Sequence, residues 1–108
     1  MNNDNRPKLS VVIPVYNEAE GIDRFMDRLE TVLSALSFPW EAIFIDDGSE
    51  DATWSKLLNL YQKKENITII SLSRNFGKDT AIFAGLADAD GDATVVIDAD
   101  LQDPPETI

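Results

Sequence analysis

A chain of 108 residues has room for one hydrophobic core and not for two. At 44% hydrophobic and 27% charged residues it falls in the folded, globular class and not among disordered chains. Twenty acidic residues against nine basic ones leave a net charge of −11, which argues against nucleic acid as a partner, because affinity for a polyanion comes largely from Lys and Arg.

The same carboxylate excess is compatible with a bound cation. Without cysteine there are no disulfides, and the cytosol is weakly indicated. Without histidine, acid–base chemistry must use carboxylates, Lys, Tyr or water, and Ser/His/Asp and Cys/His arrangements are excluded. The opening segment MNNDNRPK has no apolar stretch of signal-peptide type. No apolar run approaches the roughly 20 residues that span a bilayer. The chain therefore reads as soluble, with residues 1–8 a flexible arm and 9–108 one α/β unit.

In chain order, LSVVIPV (Leu9 to Val15) predicts a short buried strand. Ile22, Phe25, Met26, Leu29, Val32, Leu33 and Leu36 follow at the spacing of one helical face, and Asn17 with Glu20 predicts a capping box at its start. After Pro39, WEAIFID (Trp40 to Asp46) predicts a second strand. Trp54, Leu57, Leu58 and Tyr61 mark a second helix over about 51–64, with Ser49 or Asp51 as its cap and Gly48 in a left-handed turn. ITIISLS (Ile67 to Ser73) is the third expected strand. KDTAIFAGLADA (Lys78 to Ala89) suits a helix with a small-residue face, stopped by Gly91. ATVVIDA (Ala93 to Ala99) is the fourth strand, and Pro104 with Pro105 suits a turn into a fourth helix. Such alternation implies right-handed crossovers and a mostly parallel sheet of about four strands, incomplete at its C-terminal side. An edge left uncovered there makes self-association an expectation.

Ligands of open α/β sheets bind outside the carboxyl ends of the strands. Four residue clusters fall at that edge: PVYNEAE, DDGSED, SRNFGKD and DADLQD. The opposite edge carries ordinary connections such as ALSFPWE and KKENIT. Bland roles exist for many of these residues. Glu18 suits a first helical turn, Tyr16 a packed aromatic, and Arg74 and Lys78 surface ion pairs. Asp46 is harder to explain, because a carboxylate at the mouth of a buried strand needs solvent or a partner, and a ring N–H of uracil or guanine is a suitable one. Asp98 and Asp100, at i and i+2 on an extended segment, face the same way and repel unless a cation sits between them. Few hard oxygen ligands with room for phosphate suit Mg²⁺ or Mn²⁺ better than zinc. No GxGxxG is present, and NFGKDT lacks the first glycine of a Walker A loop.

Together VVIPVYNEAEGI, FIDDGSEDAT, LSRNFGKDTAIFAGL and GDATVVIDADLQDPPE resemble the N-terminal half of family 2 glycosyltransferases with the GT-A fold, especially the polyprenyl-phosphate (dolichyl-phosphate-like) branch. The resemblance implies a Rossmann-like nucleotide-binding half. It implies that Pro14, Tyr16 and Glu18 line the nucleotide pocket and that Asp46, with Asp47 beside it, reads the base. Lys78, with Arg74 as a further candidate, would lie near the diphosphate. Asp98 and Asp100 match the DXD element, with Asp100 the direct metal ligand, Asp98 near ribose or metal, and Gln102 close by. The implied chemistry is metal-dependent inverting transfer from a nucleotide-sugar, UDP-linked by preference and GDP-linked otherwise, to a lipid phosphate. The later carboxylate of the family, its acceptor half and its membrane helices have no counterpart in these 108 residues. The expectation is a donor half without turnover of its own, its parent at the cytoplasmic membrane face. A non-catalytic nucleotide- or metal-binding module is the first alternative. A receiver-like signalling domain is the second, and it is disfavoured because Ser71 and Ser73 stand where an acceptor Asp would end the third strand.

Overall fold

The computed structural model describes residues 7–99. Seven elements alternate: β1 (Leu9–Val15), α1 (Ile22–Ser34), β2 (Trp40–Asp46), α2 (Thr53–Lys63), β3 (Ile67–Ser71), α3 (Lys78–Asp88) and β4 (Ala93–Val96). All strand pairs are parallel, in the order β3-β2-β1-β4. The expected α/β class with a four-stranded parallel sheet is the observed one. Chain order reverses between β1 and β4, since β2 and β3 are added on one side of β1 and β4 on the other.

β1 and β2 are apolar on both faces because both faces are covered. On one face Val11, Ile13, Val15, Ala42 and Phe44 meet Ile22, Phe25, Met26, Leu29 and Leu33 of α1 and Leu57 and Leu60 of α2. Phe25 packs edge-on against Phe44, ring centroids 6.3 Å apart. On the other face Val12, Ile43 and Ile45 meet Ala81 of α3. There an ideal Cβ on Gly85 would stand 2.6 Å from both Ile45 Cδ1 and Val12 Cγ1, so the small-residue face lets α3 lie close to the sheet.

Three local expectations are corrected. Asn17 and Glu20 form no capping box: α1 starts after Gly21 with no side-chain cap. Asn17 sits in the left-handed region at φ 52°, which Asn tolerates, and turns towards the β2–α2 loop. Ser49 does not cap α2. Its hydroxyl accepts the Asn17 N–H, while the Asp51 carboxylate accepts the Thr53 N–H and hydroxyl at the helix start. Gly91 does not stop α3, which ends at Asp88 with Ala89 extended beyond it. It is needed because a Cβ there would lie 2.5 Å from Ser10 Oγ and 2.9 Å from the Lys8 carbonyl oxygen.

The third and fourth strands also end earlier than their apolar runs suggest. β4 pairs with β1 only as far as Val96 opposite Val12. Val12 accepts a hydrogen bond from Ile97 on the β4 side, and Val15 accepts one from Asp47 on the β2 side. By that alternation the missing N–H of Pro14 faces β4. The ladder therefore has no donor to continue with, and the two strands part.

Candidate functional site

Where β1 and β4 part, a cavity of about 200 Å³ opens, lined by Pro14, Val15, Tyr16, Glu18, Asp47, Lys78, Asp98 and Ala99. These residues come from the end of β1 and from the segments that follow each of the four strands, Lys78 being the first residue of α3. The cavity lies at the point where strand order reverses, the position at which doubly wound sheets bind ligands. Six of the residues singled out in the sequence are thus brought together. Two are not among those lining the cavity: Asp46, which is only 3% exposed, and Arg74, whose guanidinium lies 4.8 Å above the Phe76 ring. Val15 and Ala99 line it without having been anticipated. Ala99 could have been inferred from its place between two aspartates.

The walls are held by loop-to-loop hydrogen bonds. Asn17 Oδ1 accepts the Glu50 N–H at 2.9 Å, and the Glu18 N–H donates to Thr53 Oγ1 at 2.9 Å. The Ala19 N–H donates to Asp51 at 3.2 Å. These bonds place Tyr16 and Glu18 over the end of β1. The Asp51 carboxyl is below its ordinary range: desolvation pushes it up, but the bonds from Thr53 and Ala19 outweigh that.

Asp46 and Asp47 have divided roles. Asp46 shares the face of Ala42 and Phe44, and its carboxylate accepts the Ser49 N–H at 2.9 Å inside the turn. Asp47 accepts the N–H groups of Phe76 and Gly77, one on each carboxylate oxygen, at 2.8 and 3.0 Å. Gly48, at φ 73°, backs against the Arg74 and Asn75 backbone. The DDGS turn therefore grips the loop before α3 and sets Lys78, the first residue of that helix, in the cavity wall. Lys78 Nζ donates to Asp98 Oδ2 at 2.5 Å, across the point where β1 and β4 part. The Asp98 side chain is 18% exposed and that of Lys78 56%.

Asp98 is the one described member of the expected metal set, since Asp100 and Gln102 lie outside the described residues. Among the described residues no three acidic groups converge into a metal centre. The donor chemistry of Asp98 suits a hard cation: a largely buried carboxylate in a cavity wall that already holds a positive partner. Among the described residues no helix is long and apolar enough to cross a membrane.

The profile of Glycosyl transferase family 2 matches residues 10–108, and the chain belongs to that family. It is 44% identical over 102 residues to the undecaprenyl-phosphate 4-deoxy-4-formamido-L-arabinose transferase of Salmonella choleraesuis, covering 94% of this chain and 31% of that protein. The chain thus spans about a third of the length of the curated relatives it matches. Among solved structures, the mannosyltransferase PcManGT from Pyrobaculum calidifontis, in complex with GDP-Man and Mn²⁺, is similar at a TM-score of 0.75 and 28% identity, covering 88% of this chain and 28% of that one. S. aureus TarS 1-349 in complex with UDP-GlcNAc is similar at a TM-score of 0.71 and 28% identity, covering 86% and 26%. The Rossmann-like GT-A architecture expected from the sequence is the fold these structures share.

Proposed function

We propose that this chain forms the donor-nucleotide half of an inverting, metal-dependent glycosyltransferase. The transferase would move a sugar from a nucleotide-sugar to a polyprenyl phosphate. The observation that carries the reading is the cavity at the strand-order reversal, to which the end of β1 and the segments following all four strands contribute and in which Lys78 and Asp98 face each other. UDP is the favoured nucleotide and GDP the alternative, the two types carried by the TarS and PcManGT complexes.

Tyr16, beside Pro14, offers a half-exposed ring for the nucleobase, and Glu18 lies next to it. Of the acidic pair, Asp47 is the better reader of the base N–H, because it lines the cavity and Asp46 does not. Each carboxylate oxygen has a second lone pair beyond the one used by the loop amides. Lys78 would meet the diphosphate, with Arg74 able to join only by leaving the Phe76 ring. Asp98 would hold Mg²⁺ or Mn²⁺, with Asp100 and Gln102 as co-ligands. When bound, that ion neutralises charge developing on the leaving diphosphate.

A lipid phosphate is already an anion and needs little activation by a base, so the donor half supplies binding and charge rather than proton transfer. Turnover would need the acceptor half typical of the family, in a parent at the cytoplasmic face of the membrane. A second copy pairing along β4, where Ala93, Thr94 and Val96 are exposed, is the self-association this reading includes, and sedimentation velocity measures it directly. The functional test is calorimetric titration of UDP and then GDP, with and without Mn²⁺, repeated on Asp98→Asn. Binding strengthened by Mn²⁺ in the wild type, and no longer strengthened by it in Asp98→Asn, is expected. Binding indifferent to both metal and substitution would contradict the assignment.

A further inference from the structure

The Lys78–Asp98 pair does more than close one side of the cavity. Asp98 lies between Ile97 and Ala99, both 4% exposed, so its carboxylate is fixed in the wall by the burial of its neighbours. Lys78 reaches it on a four-carbon stem and remains 56% exposed, so it is the partner that can move without disturbing the core. Around them the lining holds two further carboxylates, Glu18 and Asp47. A nucleoside diphosphate entering this space brings more negative charge. To bind Lys78, its phosphate oxygens must draw the ammonium away from Asp98. That leaves a largely buried carboxylate without its counter-charge, which is costly unless another cation replaces it.

We propose that Asp98 holds the phosphate-binding charge of Lys78 in check, and that ligand binding exchanges the Lys78–Asp98 ion pair for two external ones. Lys78 goes to the diphosphate, and a divalent cation goes to Asp98. The inference rests on the donor-site reading and deepens it. It makes metal and nucleotide mutually dependent through two protein side chains, in addition to any contact between the ligands themselves. By linkage, each strengthens the other by the same factor.

The test is a double-mutant cycle on UDP affinity in the presence of a metal chelator, using the wild-type chain, Asp98→Asn, Lys78→Met and the double variant. With Lys78 present, Asp98→Asn should tighten metal-free UDP binding by about fivefold or more, within the usual range of coupling between sites. In the Lys78→Met background the same substitution should change affinity little. Equal tightening in both backgrounds would overturn the exchange, because simple repulsion between Asp98 and phosphate does not require Lys78. So would no tightening in either. Cooperative thermal unfolding certifies each variant, and Asp98→Ser replaces Asp98→Asn if the latter does not fold. Failure of the wild type to bind UDP even with Mn²⁺ would overturn the donor-site reading itself. UDP binding with Mn²⁺ but without the Lys78-dependent coupling would overturn the exchange alone.

Discussion

At Gly48 an ideal Cβ would stand 2.3 Å from the Arg74 carbonyl carbon and the Asn75 nitrogen, in a backbone conformation of φ 73°. Neither atom can yield without moving the loop that carries Lys78. At Gly85 the clashing atoms are instead the ends of Ile45 and Val12 side chains, and alanine favours a helix by about 1 kcal/mol over glycine. Gly48→Ala should therefore cost about 2 kcal/mol or more, combining left-handed strain with overpacking. Gly85→Ala should cost distinctly less. Urea denaturation of the two variants checks the ranking, and equal losses would mean that the loop contact is softer than its geometry. At the other end of the sheet Lys8 donates to Asp90 at 2.7 Å and lies 3.7 Å from Glu41. The bond from Lys8 holds the Asp90 carboxyl below its ordinary 3.8, and the bond to Asp90 raises the Lys8 ammonium above 10.5. A lowered carboxyl stabilises the fold fully above its unfolded value and ceases to do so as pH falls through the lowered one. The gap in melting temperature between wild type and Asp90→Asn should hold near neutrality and close only below about pH 3.8, the ordinary value of an aspartate. A gap that closes between pH 5 and 6 would contradict the pairing.

At the scale of elements, α1 holds the sheet through a fully buried stripe, and Phe25 is its largest member. Phe25→Ala should cost about 3–5 kcal/mol, a large part of the stability of a domain this size. Phe83, on the outer side of α3 and 73% exposed, should change stability by no more than about 0.5 kcal/mol when replaced by alanine. Chemical denaturation separates the two, and comparable losses would mean that the exposed face of α3 is covered. The element pattern is readable from the sequence because the strands are short continuous apolar runs and α1 and α2 carry apolar residues at a period of 3.6. The ends are not. β3 stops at Ser71 although the Leu72 N–H still bonds the Asp46 carbonyl, and β4 stops because Pro14 on the neighbouring strand supplies no donor. That second cause lies on a different strand from the one it ends. The capping box failed for a related reason. The spacing of Asn17 and Glu20 is local, whereas the Asn17 side-chain oxygen Oδ1 accepts the Glu50 N–H from another loop.

At the scale of the whole molecule, the order β3-β2-β1-β4 gathers four separated motifs into one crevice. That gathering could be anticipated, because strand–helix alternation alone sends every post-strand loop to the same edge. What could not be anticipated was which member of each motif faces the crevice. Asp46 and Asp47 are adjacent in sequence, yet the alternation of β2 turns Asp46 into the turn and leaves Asp47 on the cavity. Lys78 and Asp98, twenty residues apart, form an ion pair that no local pattern announces. The central claim is that this edge, and not the opposite one with Lys8, Glu41 and Asp90, receives a nucleoside diphosphate. Amide chemical-shift mapping with UDP and Mg²⁺ tests it most directly. The account predicts perturbations concentrated at Tyr16, Glu18, Asp47, Gly77, Lys78 and Asp98. Perturbations centred on Lys8, Glu41 and Asp90, or none in a folded chain, would contradict it.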